Sequence, residues 1–245
     1  IFAPTIMGAG RWLVIGPVQI QPSEFAKLAV ILTLARHLSA KESLDQPIDL
    51  VSPILHIALP MALIMLQPDL GTALVFIGIL FGMLFVAGVP AKYLGVMAGA
   101  GVVVFVLTAV GSLLGWFEII KGYQLQRLLV FLDPHSDPTG AGWNVIQSMI
   151  AIGSGGFFGK GLFGGSQTQL NFLPSRHTAF IFSVIGEEFG FLGATMLLGA
   201  YFYFLWRCIR LIGKAKDSYG VLLITGVVSM IFCHIVINLG MTLGV

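Results

Sequence analysis

Apolar stretches of roughly 17–25 residues, the length a helix needs to cross a bilayer, recur from one end of the chain to the other with short polar clusters between them. The first opens at Gln21-Pro22-Ser23-Glu24, where Pro22 pre-sets a helical backbone and Ser23 can cap it, and the apolar residues of Phe25 to Leu38 follow. Further spans are predicted at Ser52 to Leu66, Thr72 to Val89, Lys92 to Trp116, Phe180 to about Trp206 and Tyr219 to about Leu239. Gln67-Pro68-Asp69-Leu70-Gly71 and Gly88-Val89-Pro90 supply the turns. The fold class expected is all-α: a polytopic membrane protein with six transmembrane helices, residues 1–245 forming one integral membrane domain. Residues 1–20 read as a loop holding Arg11 and Trp12 at an interface. Because the chain opens at Ile1 and closes without a polar tail, it reads as an internal portion of a longer protein.

The short loops set the orientation, because the Lys/Arg bias operates on short loops and fails on long ones. Arg36 and Lys41, Lys92, and the group Arg207, Arg210, Lys214 and Lys216 all fall on one side, whereas the loop around Asp69 has no Lys or Arg. The first side is therefore cytoplasmic. The longest non-spanning stretch, residues 117–178, lies on the opposite, extracytoplasmic side, and chemistry is expected there. Within it Trp143, Ile146 and Ile150 recur at helical spacing against Asn144, Gln147 and Ser148, which predicts an interfacial or re-entrant helix over Ala141 to Ile152.

Composition agrees. The hydrophobic fraction is 57% and the charged fraction 10% in 245 residues, more apolar surface than a soluble domain can hide. A net charge of +2 excludes any argument for nucleic acid as a partner. Cys208 and Cys233, both in or beside apolar segments, read as small buried hydrophobes rather than a disulfide or metal pair. No His/Asp/Glu spacing reads as a metal site, and no Ser/His/Asp arrangement is visible. Gly159-Lys160-Gly161-Leu162-Phe163-Gly164 matches G-x-G-x-x-G in letters only, since no strand precedes it. The glycines from Gly153 to Gly165 instead suit tight turns and close backbone approach, including to a phosphate through free N–H groups. Asp133-Pro134 and Asp137-Pro138 read as turn caps, with Gln124 and Arg127 before them able to address an anionic headgroup. His56 and His234, inside apolar spans, read as helix-facing hydrogen-bonding groups.

Charges at membrane depth are costly and therefore functional or paired. Glu24, Lys27, Asp69, Arg176, Glu187 and Glu188 meet that test. Glu24 and Lys27, three apart, share a helix face. Glu187 and Glu188 point about 100° apart, and a pairing with Lys27 or Arg176 is the structural alternative for one of them.

The motifs Gln21-Pro22-Ser23-Glu24-Phe25-Ala26-Lys27, Gln67-Pro68-Asp69-Leu70-Gly71-Thr72 and Leu132-Asp133-Pro134 with Asp137-Pro138 resemble the SEDS family of cell-wall polymerases. Gln147-Ser148 through Gly156 and Leu173-Pro174 through Glu188 extend the resemblance over nearly the whole chain. Gln167 to Pro174 with Arg176-His177 is closer to the elongation branch than to the division branch. The resemblance implies a bundle of about ten helices in the bacterial inner membrane, of which this chain would hold the fourth to the ninth. It also implies a peptidoglycan glycosyltransferase whose donor is lipid II, with its anomeric carbon attacked by a sugar 4-hydroxyl. Implied partners are membrane lipids and a single-span class B penicillin-binding protein. No organic cofactor is implied; a divalent cation at the pyrophosphate is left as an open choice.

That reaction asks for a base at the attacking hydroxyl and for cations at the leaving pyrophosphate. A carboxylate at the outer membrane edge suits the first task, and Lys27, Arg127 and Arg176 the second, with Glu24 and His177 also in the substrate-binding set. In the family the carboxylate is an Asp after His-Thr and before Phe-Ile-Phe; here His177-Thr178 is followed by Ala179. The expectation is a polymerase that is poor or inactive as written, with an aspartate-to-alanine inactivation favoured over a natural variant. Asp69, Glu187 and Glu188 are expected to support the site. Two rival readings stand beside this one: a lipid II flippase, which needs no base at position 179, and a non-catalytic scaffold for the penicillin-binding protein.

Overall fold

The computed structural model describes residues 13–15, 18–41, 43–67, 69–115, 130, 133, 137, 140, 142–169, 172 and 179–244. Apart from one short hairpin it is helical, and within it the chain separates into two compact units. The first comprises Ile1–Gly101 with Leu205–His234, the second Val102–Phe204 with Ile235–Val245.

In the first unit, β1 (Leu13–Ile15) and β2 (Val18–Ile20) pair antiparallel, with Leu13 opposite Ile20. A plain loop was expected here. The cause is legible in retrospect: Leu-Val-Ile and Val-Gln-Ile, rich in β-branched residues, flank a Gly-Pro pair. Helix α1 (Pro22–Ser39) begins with Pro22 in the first turn, as expected. Gln21 rather than Ser23 is its N-cap, and the buried Ser23 hydroxyl has no hydrogen-bond partner among the described residues. Lys27, Val30, Ile31, Leu34, Ala35 and Leu38 are buried, a stripe at i, i+3, i+4 and i+7 spacing that turns one face of α1 inward.

A single 3-10 turn (Pro47–Leu50) leads into α2 (Val51–Leu66), which carries Pro60 in its interior. Asp69 caps α3 (Leu70–Val86), its Oδ1 accepting the Thr72 N–H at 3.2 Å. Helix α3 is buried on most sides because small residues let a neighbour close on it. Gly78 and Gly82, one turn apart, meet Cys233 and Ser229 of α8 (Ser218–Leu243), where a Cβ at either glycine would overlap the facing Sγ or Oγ. Gly226 of α8 in turn admits Ile31 and Met83. This small-residue seam is how membrane helices gain contact when no water is expelled. The next helix, α4 (Ala91–Leu113), is apolar and exposed along almost its whole length, as a lipid-facing helix is.

In the second unit, α5 (Trp143–Ser154) falls where the interfacial or re-entrant helix was expected, but with the opposite sense of amphipathicity. Gln147 and Ser148 are buried, whereas Trp143 and Ile150 are exposed. In water the apolar face would turn inward; here Ser148 finds its partners inside the protein, and Trp143 and Ile150 face out. A short helix α6 (Ser166–Gln169) follows.

Helix α7 (Ile181–Ile212) runs past the boundary expected at Trp206. Arg207 and Arg210, assigned to a loop from sequence, are helical, and the Arg210 guanidinium lies 3.8 Å from the centre of the Trp206 ring. The predicted continuity of this span also fails: Gly190, at φ 65° and ψ −160°, breaks it. That backbone region is open to glycine and essentially closed to other residues.

Four segments among the described residues are long and apolar enough to cross a membrane: Pro47–Leu66, Ala91–Leu113, Ile181–Ile212 and Ser218–Leu243. Leu70–Val86 is apolar but shorter. The chain is a multi-pass membrane protein.

Candidate functional site

The break at Gly190 organises the second unit. An unbroken helix would send the Phe191 and Leu192 N–H groups to the carbonyls of Glu187 and Glu188. Instead Phe191 donates to the Gly156 carbonyl at 2.9 Å and Leu192 to that of Phe157 at 3.1 Å. The two carbonyls left over accept the N–H groups of Lys160 and Gly161, each at 3.0 Å. One glycine-rich segment thus replaces the whole missing helical turn, which is what permits a helix to break where water is absent. Gly159 (φ 81°) passes so close that a Cβ there would overlap the Glu188 carbonyl. Of the N–H groups between Gly153 and Gly165 considered for a phosphate, those of Lys160 and Gly161 are therefore committed to the protein.

The same junction pairs Glu187. Its side chain is fully buried and accepts Lys160 Nζ at 2.9 Å, the Gln167 N–H at 3.0 Å and the Ser166 hydroxyl at 3.4 Å. Lys160, which the sequence did not single out, is a partner here; of the two considered, Lys27 pairs with Glu24 and Arg176 lies outside the described residues. Glu187 thereby ties α7 to α6, the element that leads toward residues 170–178. Glu188 is buried beside it.

Ala179 lies at the entry to α7, half-buried against Ala151 of α5 and Phe180. Its carbonyl accepts Asn238 Nδ2 of α8 at 3.0 Å. Just below, Ser148 Oγ lies 2.5 Å from Ser183 Oγ and donates to the Thr242 carbonyl at 2.6 Å. Position 179 is thus fixed by three elements, and its side chain meets apolar neighbours. A carboxylate placed there would have its ionisation disfavoured by that contact, as suits a base.

In the first unit Lys27 is fully buried. Its Nζ lies 2.8 Å from both Glu24 oxygens and 2.6 Å from His234 Nε2. His234 was read as a hydrogen-bonding group, and its partner is a member of the candidate set. Asp69 serves structure, capping α3 and accepting Gln21 Nε2 at 3.3 Å. Arg127, Arg176 and His177 lie outside the described residues, as do Gln124 and the loop from Leu173 to Thr178. Asp137, read as a turn cap, accepts the Gly140 N–H at 3.0 Å. Among the described residues no group of three or more His, Cys, Asp or Glu is placed to hold a metal.

Sequence reading missed Lys160, Asn238, and the Ser148–Ser183 contact. A signal existed for each, since each is a polar side chain amid apolar residues, which in a membrane marks a paired or functional group.

The FtsW/RodA/SpoVE family, described as "Cell cycle protein", matches residues 1–245. The chain belongs to this family, that of the SEDS proteins. It is 40% identical over its whole length to peptidoglycan glycosyltransferase MrdB of Escherichia coli (strain K12), and spans 64% of that protein. It superposes with a TM-score of 0.79 and 38% identity on a chain from a peptidoglycan synthase complex that coordinates polymerization and crosslinking, covering all of this chain and 66% of the other. An aspartate-to-alanine mutant of the Rod shape determining protein RodA from Thermus thermophilus superposes with a TM-score of 0.64 at 33% identity, over all of this chain and 61% of the mutant.

Proposed function

We propose that this chain is part of a lipid II polymerase of the elongation type, with position 179 at its reaction centre on the extracytoplasmic side of a bundle that contains six helices of this chain. Family membership over the full chain supports the reaction class. The observation that carries the assignment of the centre is the anchoring of position 179 by Asn238, α5 and α7 at the foot of the long loop. In the reaction the acceptor 4-hydroxyl oxygen bonds to the anomeric carbon of the donor. The bond from that carbon to the pyrophosphate oxygen breaks, undecaprenyl pyrophosphate departs, and the hydroxyl proton passes to a carboxylate at position 179. Cations offset the charge on the leaving group, the roles proposed for Lys27, Arg127 and Arg176, and His177 and Glu24 are proposed as further substrate-binding residues. Lys27 must exchange one of its two present partners, Glu24 or His234, to reach a phosphate. Asp69, Glu187 and Glu188 shape the elements that carry the site.

Alanine offers no proton acceptor, so the chain as written is a weak polymerase. Losing a positioned base costs on the order of 10²–10⁴-fold in rate. Conversion of lipid II to glycan is measured for the chain as written and for Ala179→Asp; a rise of at least a hundredfold is expected, and equal rates would refute the assignment. The complex on which the chain superposes also favours a crosslinking partner of the class B penicillin-binding type. Co-purification with that partner should be the same with Ala179 and with Ala179→Asp, because the base takes no part in docking. Movement of labelled lipid II across liposomes by Ala179→Asp without glycan formation would favour transport instead.

A further inference from the structure

Outside the candidate site, the first unit contains a cavity of about 520 Å³ at the ends of α1, α3 and α8, lined by Leu38, Lys41, Lys216, Asp217, Val221 and Leu222 among others. Its lining is more polar than apolar: Leu38 and Leu222 are almost fully buried and show it little surface, while Ser39, Lys41, Lys216, Asp217 and Ser218 supply its polar groups. The loops bearing Lys41 and Lys216 are those that the Lys/Arg bias assigns to the cytoplasmic face, so the cavity opens at headgroup level on the side where anionic lipid collects.

The charges at the rim are unequally engaged. Asp217 is turned onto the start of α8, where its Oδ1 accepts the Gly220 N–H at 2.9 Å. Among the described residues Lys41 Nζ donates one hydrogen bond, to the Asp49 carbonyl at 2.7 Å, which leaves two of its three protons for another acceptor. Lys216 is exposed and makes no ion pair among the described residues. Two lysines lining one polar cavity fit an anionic phosphate, whose oxygens accept from the ammonium groups.

We propose that this cavity is a binding site for a phosphate monoanion of the kind found in glycerophospholipid headgroups, separate from the centre at position 179. The Lys216 charge strengthens binding about fivefold, the usual effect of one basic residue at an anionic membrane surface. The test titrates the purified chain in neutral detergent with short-chain phosphatidylglycerol, phosphatidylcholine and glycerol 3-phosphate, followed by thermal shift and native mass spectrometry. Three proteins are compared: the chain as written, Lys216→Gln, and Lys92→Gln, which changes a lysine of the same face that does not line the cavity. Lys216→Gln breaks no hydrogen bond, so a folding defect is not expected, and its unfolding temperature without ligand verifies this. Phosphatidylglycerol binding that falls about fivefold in Lys216→Gln and is unchanged in Lys92→Gln supports a lipid source. The same dependence for glycerol 3-phosphate at equal affinity supports the phosphate chemistry with a soluble source. Binding equal in all three proteins, or as strong for phosphatidylcholine, overturns the proposal.

Discussion

Gly159 and Gly161 allow the backbone exchange at the α7 break to be tested by a matched pair. Both have positive φ, 81° and 86°, so alanine at either carries the same left-handed strain, roughly 1–2 kcal/mol. They differ in surroundings. A Cβ at Gly161 meets open space, whereas one at Gly159 overlaps the Glu188 carbonyl and approaches Phe189 C at 2.6 Å. Those are backbone atoms and cannot rotate away. Gly159→Ala must therefore push the glycine segment off α7, breaking the Lys160 and Gly161 donations to Glu187 and Glu188. Each lost bond costs about 1 kcal/mol net, and more where no water replaces it. The excess over Gly161→Ala is about 2 kcal/mol, which lowers the unfolding temperature by a further ~4–8 °C for a chain of this size. Thermal unfolding of both variants in one detergent measures it, and hydrogen exchange at the Phe191 and Leu192 amides should rise in Gly159→Ala alone. Equal unfolding temperatures for the two variants would show that the segment does not replace the missing turn.

Gly82→Ala should destabilise more than Gly78→Ala, by up to about 2 kcal/mol in thermal unfolding, because Ser229 Cβ stands 3.0 Å from the added methyl whereas Cys233 can swing its Sγ aside and leave its Cβ at 3.5 Å. Lys160→Met removes one charged donor from the buried Glu187 carboxylate and should cost about 1–3 kcal/mol; a Glu187→Gln change added to it should recover a large part of that loss, and failure to recover would mean that the pair does not carry the effect. In an Ala179→Asp background, Asn238→Ala frees the carbonyl at position 179 and should slow polymerisation roughly tenfold with little change in lipid II binding; an effect on binding alone would remove Asn238 from the positioning of that residue.

The positions of the helices were legible in the residues because lipid is an undemanding solvent with a fixed thickness: a run of apolar residues of the right length crosses it, and Pro, Gly and Asp mark where it stops. The starts of α1 and α3 followed from Pro22 and Asp69. The motif around Ala179 was legible too, as a sequence match whose one missing carboxylate marks the proposed centre. The hairpin at Leu13–Ile20 and the true length of α7 were present in the residues and misread.

What only the tertiary structure decided is where polar groups go once inside. Periodicity located α5, yet its buried face is the polar one, because in a membrane the inside of the protein is where hydrogen bonds are made. Gly190 looked like any other glycine in an apolar run; that it breaks α7 depends on a segment some thirty residues earlier supplying two donors and two acceptors in register. Likewise Glu187 pairs with Lys160 and Lys27 with His234, partners 27 and 207 residues apart. The sequence by itself determined that the chain crosses the membrane several times and which residues were too polar to be there without cause. For Glu187 with Lys160 and for Lys27 with His234 the cause was a partner brought close by folding, whereas Lys27 with Glu24 was a local pair one helical turn apart; no local pattern encodes a distance between helices.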